Sequence, residues 1–185
     1  MTPFGTIEEL PGRGTYMGNR GCIHEGREIR RQWASKAWIT CLLEFKGWKA
    51  PMFEPNRWTP LFFLDEATAL AAGHRPCALC RRDDHYRFRD AWGSAPLREL
   101  DATLHSERRA AHRPAMRLDE VPDGVMVSFD GRAWLKCVDA LLPWSSEGYG
   151  PPRRAPEVLT PITPPSTIRA IANGYVPNVH RTVTP

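Results

Sequence analysis

Phe62-Phe63-Leu64-Asp65-Glu66-Ala67-Thr68-Ala69-Leu70-Ala71-Ala72-Gly73-His74-Arg75-Pro76-Cys77-Ala78-Leu79-Cys80-Arg81-Arg82-Asp83 is the stretch from which the fold is best read. Leu61 to Leu64 form an apolar extended run, Asp65 stands where a helix N-cap belongs, Glu66 to Ala72 are mostly strong helix formers, and Gly73 is a stop. Strand, short helix and turn therefore lead into Cys77 and Cys80. Pro76, whose φ is already near the helical value, predicts a second helix through Cys77, Cys80, His85 and Phe88 to Trp92.

Upstream, the period of two over Lys36 to Phe45, with Ile39, Cys41, Leu43 and Phe45 apolar, predicts a half-buried strand that points Cys41 inward. Residues 1–35 are punctuated by Gly12, Gly14, Gly18, Gly21 and Gly26 and read as short strands and loops. Downstream, the basic stretch from Ser94 to Glu120, with His105, Glu107, Arg108, Arg109, His112, Arg113 and Arg117, should open as a helix. Val125 to Phe129 and Ala133 to Val138 alternate about Asp130-Gly131, a strong hairpin signal. Nine of the 18 prolines lie from Pro143 onward, which excludes long elements there. A short helix capped by Ser166 and stopped by Gly174 remains, and the rest should wrap the surface. The expected fold class is α+β, with a small mixed sheet and short helices around a metal site in residues 1–140. A proline-rich C-terminal segment, 141–185, is expected to wrap the same core.

At 185 residues with 42% hydrophobic and 25% charged residues, the chain has the length and composition of one packed domain, which excludes disorder throughout, collagen and coiled coil. No apolar run approaches the roughly 20 residues that span a bilayer. The N-terminus lacks the basic and apolar parts of a secretory signal, so a cytoplasmic monomer with reduced cysteines is expected. Of 25 basic residues 21 are arginine, and the net charge of +4 permits an anionic partner without dictating one.

Cys77 and Cys80 are spaced C-x-x-C, so both sulfurs can reach one tetrahedral ion, and zinc is the expected cofactor. A redox role fits less well, because the thioredoxin arrangement runs a strand directly into the motif helix. A structural zinc site wants four protein ligands. Cys41 is the leading third, against the alternative of a plain core cysteine. Cys22 and His24, in one loop, compete for the fourth place, with His74 and His85 behind them; Cys137 reads as core.

The run quoted above resembles the second half of the zinc-binding domain of Ada-type DNA alkylation-repair proteins, which carries a strand, an alanine-rich helix and then Gly-x-Arg-Pro-Cys-x-x-Cys-Arg. In that family one zinc is held by four cysteine thiolates, one of which accepts a methyl group from a methylated DNA phosphate. The resemblance covers residues 62–83 and implies that Cys77 and Cys80 are the second ligand pair. The family's first pair is C-x-x-x-C, of which only Cys41 stands in the matching region here, so a thiolate is missing or displaced to Cys22. The chain as a whole also resembles a set of bacterial proteins, a likeness that implies no activity.

His105-Ser106-Glu107 together with Pro76-Cys77-Ala78-Leu79-Cys80 contains both pieces of the zinc deaminase signature, in reversed order. A deaminase, nuclease or glycosylase would make His105 and Glu107 catalytic; solvated salt-bridge partners are the plainer reading. Arginines Arg75, Arg81, Arg82, Arg108 and Arg109, interleaved with tryptophans such as Trp144, compose the phosphate-contacting and base-stacking set of a reader of single-stranded or damaged duplex DNA. The function expected from the sequence is a zinc protein that binds or processes damaged or modified DNA, with a zinc-dependent hydrolase acting on nucleic acid as the alternative.

Overall fold

The computed structural model describes residues 1–110 and 113–183, so His112 of the expected basic helix lies outside the described residues. The chain is mixed α+β, with several small sheets and four α-helices among the described residues. The first half runs β1 (Tyr16–Asn19), β2 (His24–Glu25), β3 (Glu28–Ile29), β4 (Ile39–Cys41), β5 (Glu44–Phe45), β6 (Trp48–Lys49), β7 (Leu61–Phe63), α1 (Glu66–Ala71) and β8 (Arg75–Pro76). Two helices follow, α2 (Arg82–Trp92) and α3 (Leu97–Arg109). The rest is β9 (Met116–Arg117), β10 (Met126–Phe129), β11 (Arg132–Cys137), β12 (Ala140–Ser145), β13 (Gly148–Tyr149), β14 (Arg153–Arg154), β15 (Val158–Pro161) and α4 (Pro165–Ala172).

One mixed sheet has the order β7-β1-β4-β8, antiparallel except for the parallel pair β4–β8. A larger antiparallel sheet has the order β13-β12-β11-β10-β15-β9, with β14 beside β12. Between them lies α1, every residue of which is buried. Its Ala67 and Ala71 pack with Met126, Leu135 and Leu142 of the larger sheet, while Ala69 and Ala72 pack with Leu61 and Phe63 of the smaller. Alanines on these two faces let the helix approach both sheets closely, while the longer Leu70 turns to the core cluster of Phe88 and Leu104. Helices α2, α3 and α4 close the other end of the core around Phe88, Leu100, Leu104, Ile168 and Ile171.

The expected caps of α1 form as read. The Asp65 carboxylate accepts from the Thr68 amide at 2.8 Å, and Gly73, at φ +83°, lets its own N–H and that of His74 bond back to Leu70 and Ala69. The Asp130-Gly131 hairpin also forms, both residues having positive φ.

Three local readings change. The strand expected over Lys36 to Phe45 contracts to Ile39–Cys41, because the Leu42 N–H turns away to the Cys80 sulfur at 3.4 Å, leaving Leu43 exposed. The helix expected from Pro76 starts instead at Arg82, because Arg75 and Pro76 extend the sheet beside β4 and residues 77–80 form a turn. Past residue 140 the chain stays in the larger sheet through β12 to β15, and α4 starts on Pro165 rather than being capped by Ser166. The last described segment is not merely draped on the surface: Tyr175 is buried, and the Asn178 and His180 amides donate to Glu66 and Asp65 at 2.9 Å.

No described helix is long and apolar enough to cross a membrane.

Candidate metal centre

Two neighbouring features of the backbone bring three cysteines together. The β4–β8 pairing continues as the Cys77 N–H donates to the Thr40 carbonyl at 3.0 Å, so Cys41 and Cys77 leave the sheet side by side. The turn over residues 77–80, closed by Arg81 N–H to the Cys77 carbonyl at 3.1 Å, then folds Cys80 back toward both. The Sγ atoms of Cys41, Cys77 and Cys80 lie within 4.8 Å of one another. Met17, Ile39, Ala50 and Trp58 pack around them, giving the sulfurs an apolar wall.

Backbone amides point at the sulfurs. Leu79 N–H donates to Cys77 Sγ and Leu42 N–H to Cys80 Sγ, each at 3.4 Å. Such bonds favour the thiolate over the thiol. Hydrogen bonds from Cys41 and Cys80 hold the Cys77 thiol down, whereas Cys41 is pushed up by its bonds to Cys77 and Cys80 and by burial. At Cys80 the bond to Cys41 acts downward but is outweighed by Cys77 and burial, so the net direction is up. The trio thus accepts one negative charge readily and resists the next two. A divalent cation removes that resistance.

The donor set therefore fits a metal ion. Sulfurs bound tetrahedrally at about 2.3 Å from one ion stand about 3.8 Å apart, compatible with three Sγ atoms that all lie within 4.8 Å of one another. Among the described residues no fourth His, Cys, Asp or Glu joins the group. Cys22 directs its sulfur to the His24 carbonyl at 3.8 Å, and His24 Nδ1 is 2.6 Å from Thr59 Oγ1. His74 is buried and accepts from Arg20 Nε at 3.3 Å, while His85 Nδ1 lies 3.2 Å from the Pro76 carbonyl.

The remaining expected site residues lie elsewhere. His105 is buried, edge-on to Trp33 with ring centroids 4.6 Å apart. Both Glu107 carboxylate oxygens accept from Ser166, its hydroxyl at 2.6 Å and its amide at 3.1 and 3.2 Å, which satisfies the N-terminus of α4. Arg75 forms a bidentate pair with Asp101 at 2.7 and 2.9 Å. Arg81 reaches Glu66 and Asp84, each at 2.7 Å. Arg108 stacks over Trp38, and the Trp144 indole donates to Thr68 Oγ1 at 3.0 Å. Arg82 and Arg109 are the two of this set that stay exposed, over Tyr86 and Trp33 respectively. Spacing alone could not have found Met17 or Trp58 as neighbours of the sulfurs, since each arrives through a different strand or loop, nor that the amide of Leu42, next to Cys41, reaches Cys80 38 residues on.

Compared with known proteins, the chain matches no family model, no curated protein and no solved structure.

Proposed function

We propose that Cys41, Cys77 and Cys80 hold a zinc ion and that the protein binds or processes damaged or modified DNA. The observation that carries the metal part is the convergence of three sulfurs from two chain segments, with amides already directed at two of them. Two thiolates on a C-x-x-C turn and one on a neighbouring strand are a donor set that zinc prefers over harder cations such as magnesium or calcium. When bound, the ion supplies charge neutralisation and a fixed geometry for the turn that starts α2. The DNA part rests on the resemblance of residues 62–83 to the Ada-type domain and on exposed arginines, Arg82 and Arg109, that each lie beside an aromatic ring.

Three protein donors also favour a second reading, a zinc-dependent hydrolase on nucleic acid, because catalytic zinc sites keep one position for a small molecule. In that reading His105 and Glu107 are weak candidates for proton transfer. Glu107 is committed to Ser166, and His105 is packed against Trp33.

Three measurements bear on the proposal. Elemental analysis of protein purified without chelators should find about one zinc per chain, and none would refute the metal reading. Oligonucleotide binding followed by fluorescence anisotropy should weaken steeply between about 50 and 200 mM salt, as counterion release requires. Absent or salt-insensitive binding would refute the DNA reading independently of the metal. Incubation with methylated DNA followed by intact mass separates direct repair from the other modes: a gain of one methyl mapped to a cluster cysteine would assign methyl transfer.

A further inference from the structure

At the end of β4 away from the sulfurs, three arginines surround one cleft of about 360 Å³. Arg20, Arg108 and Arg113 line it together with Trp38, Gln32 and Ser128. Arg20 is 1% exposed. Its partners are neutral: it donates from Nε to His74 Nε2 at 3.3 Å and from Nη1 to the Gly5 carbonyl at 3.1 Å. Arg108 is treated likewise, with the Leu104 carbonyl at 2.9 Å and the Lys36 carbonyl at 3.2 Å. Both guanidinium carbons sit over the Trp38 ring, at 3.7 and 4.1 Å from its centroid. None of the ion pairs among the described residues involves any of the three arginines. Each also has a buried nitrogen, Arg20 Nη2, Arg108 Nη2 and Arg113 Nη1, with no hydrogen-bond partner among the described residues.

Cations withdrawn from water without an ion-pair partner are costly, and the ordinary remedy is an anion. Asp101 and Glu107 act on Arg108, and Glu107 on Arg113, only from beyond ion-pair contact, and Arg20, the most buried of the three, has no carboxylate acting on it among the described residues. The other buried arginines of this fold have one: Arg75 has Asp101, and Arg81 has Glu66 and Asp84. Burial, and at Arg20 then the nearby Arg108, pulls Arg20 and Arg108 down to about 9, so both stay cationic at neutral pH. Planar guanidiniums match tetrahedral oxyanions through paired N–H bonds, which selects phosphate over a halide. The cleft volume, near the lower end for small-molecule sites, leaves room for a phosphate with a small organic body.

We propose that this cleft binds a phosphomonoester through Arg20, Arg108 and Arg113. The site does not depend on the metal reading, since it uses none of the cysteines.

Isothermal titration of the full chain with inorganic phosphate and with ribose 5-phosphate tests it. One site per chain is expected, with Arg113→Ala weakening it about tenfold or more, the usual effect of losing a hydrogen bond to a charged group. Arg113 is half-buried, so its removal should leave the fold intact; Arg20→Ala, in the interior, is the poorer choice. Ser128→Glu is the independent variant: a fixed carboxylate on the cleft wall should abolish phosphate binding. No stoichiometric binding by the unaltered chain, or affinity unchanged in both variants, would overturn the proposal. A 5′-phosphorylated oligonucleotide that displaces inorganic phosphate, where its unphosphorylated twin does not, would identify the source as a nucleic-acid end. Displacement by ribose 5-phosphate alone would identify a small metabolite.

Discussion

Replacing Arg81 by alanine should unfold far more of the protein than replacing its neighbour Arg82. The Arg81 side chain is 1% exposed and that of its partner Glu66 is fully buried, the two meeting at 2.7 Å. Removing the guanidinium leaves the Glu66 carboxylate, among the described residues, with the Tyr175 hydroxyl and Asn178 as donors. Breaking one half of a buried pair costs about 3–5 kcal/mol, because the remaining charge is uncompensated. The second contact, to Asp84, adds less, since that carboxylate is 20% exposed and water takes over part of the role. With a urea dependence of about 2 kcal/mol per molar, the midpoint should fall by about 1.5–2.5 M at unchanged slope. Arg82→Ala, on an exposed side chain, should stay within about 0.5 kcal/mol of the parent. Equilibrium urea unfolding followed by tryptophan fluorescence reads both. A loss under about 1 kcal/mol for Arg81→Ala would refute the argument that this residue holds the core together rather than facing a ligand.

The remaining predictions concern metal, pH and salt. Cys41→Ser should lose zinc as Cys77→Ser does, whereas Cys22→Ser and Cys137→Ser should keep it; metal retained at full affinity in Cys41→Ser would remove the strand cysteine from the site. Burial drives His74 well below the ordinary histidine range, with Arg20 and Arg108 acting in the same direction, so the unfolded chain binds this proton more readily than the folded one. Stability should therefore be level above about pH 6.5 and fall by up to about 1.4 kcal/mol per unit below it. A flat urea midpoint from pH 7.5 to 5.5, or one that rises on acidification, would contradict this. Replacing Arg82 and Arg109 together by alanine should reduce the salt slope of DNA binding by up to about two without changing stability, which anisotropy titrations would reveal.

Much of the fold was legible where a side chain acts on its own neighbours in sequence. Asp65 as a cap, Gly73 as a stop and Asp130-Gly131 as a hairpin turn need nothing beyond four or five residues, and each forms as read. Cys41, Cys77 and Cys80 were legible for the same reason, one from strand alternation and two from their spacing. What could not be read was decided by distant partners. Arg75 and Arg81 have the composition of a nucleic-acid face, but Asp101 is 26 residues away from the first and Glu66 is 15 from the second. Glu107 looked chemical because Ser166, whose helix it caps, is 59 residues downstream. The prolines past residue 140 do keep elements short, but Pro143 and Pro161 sit within strands of six and four residues, since a missing N–H matters only if the ladder needs a donor there.

The parallel pair β4–β8 has the arginine cleft toward one end and the three sulfurs toward the other. Trp38 and His74 precede the pair, and Cys41 and Cys77 follow it, with Ile39 opposite Arg75 and Thr40 opposite Pro76. Three extended residues span roughly 10 Å, so the backbone positions of Trp38 and Cys41 are about that far apart along the segment. Arg75 N–H to the Trp38 carbonyl and Cys77 N–H to the Thr40 carbonyl, both at 3.0 Å, fix the register of the whole segment. A shift of one residue would turn Cys41 away from Cys77 and Trp38 away from Arg20 at the same time. Zinc bound across Cys41 and Cys77 would hold that register from one end, and an anion on Arg20 and Arg108 would hold it from the other.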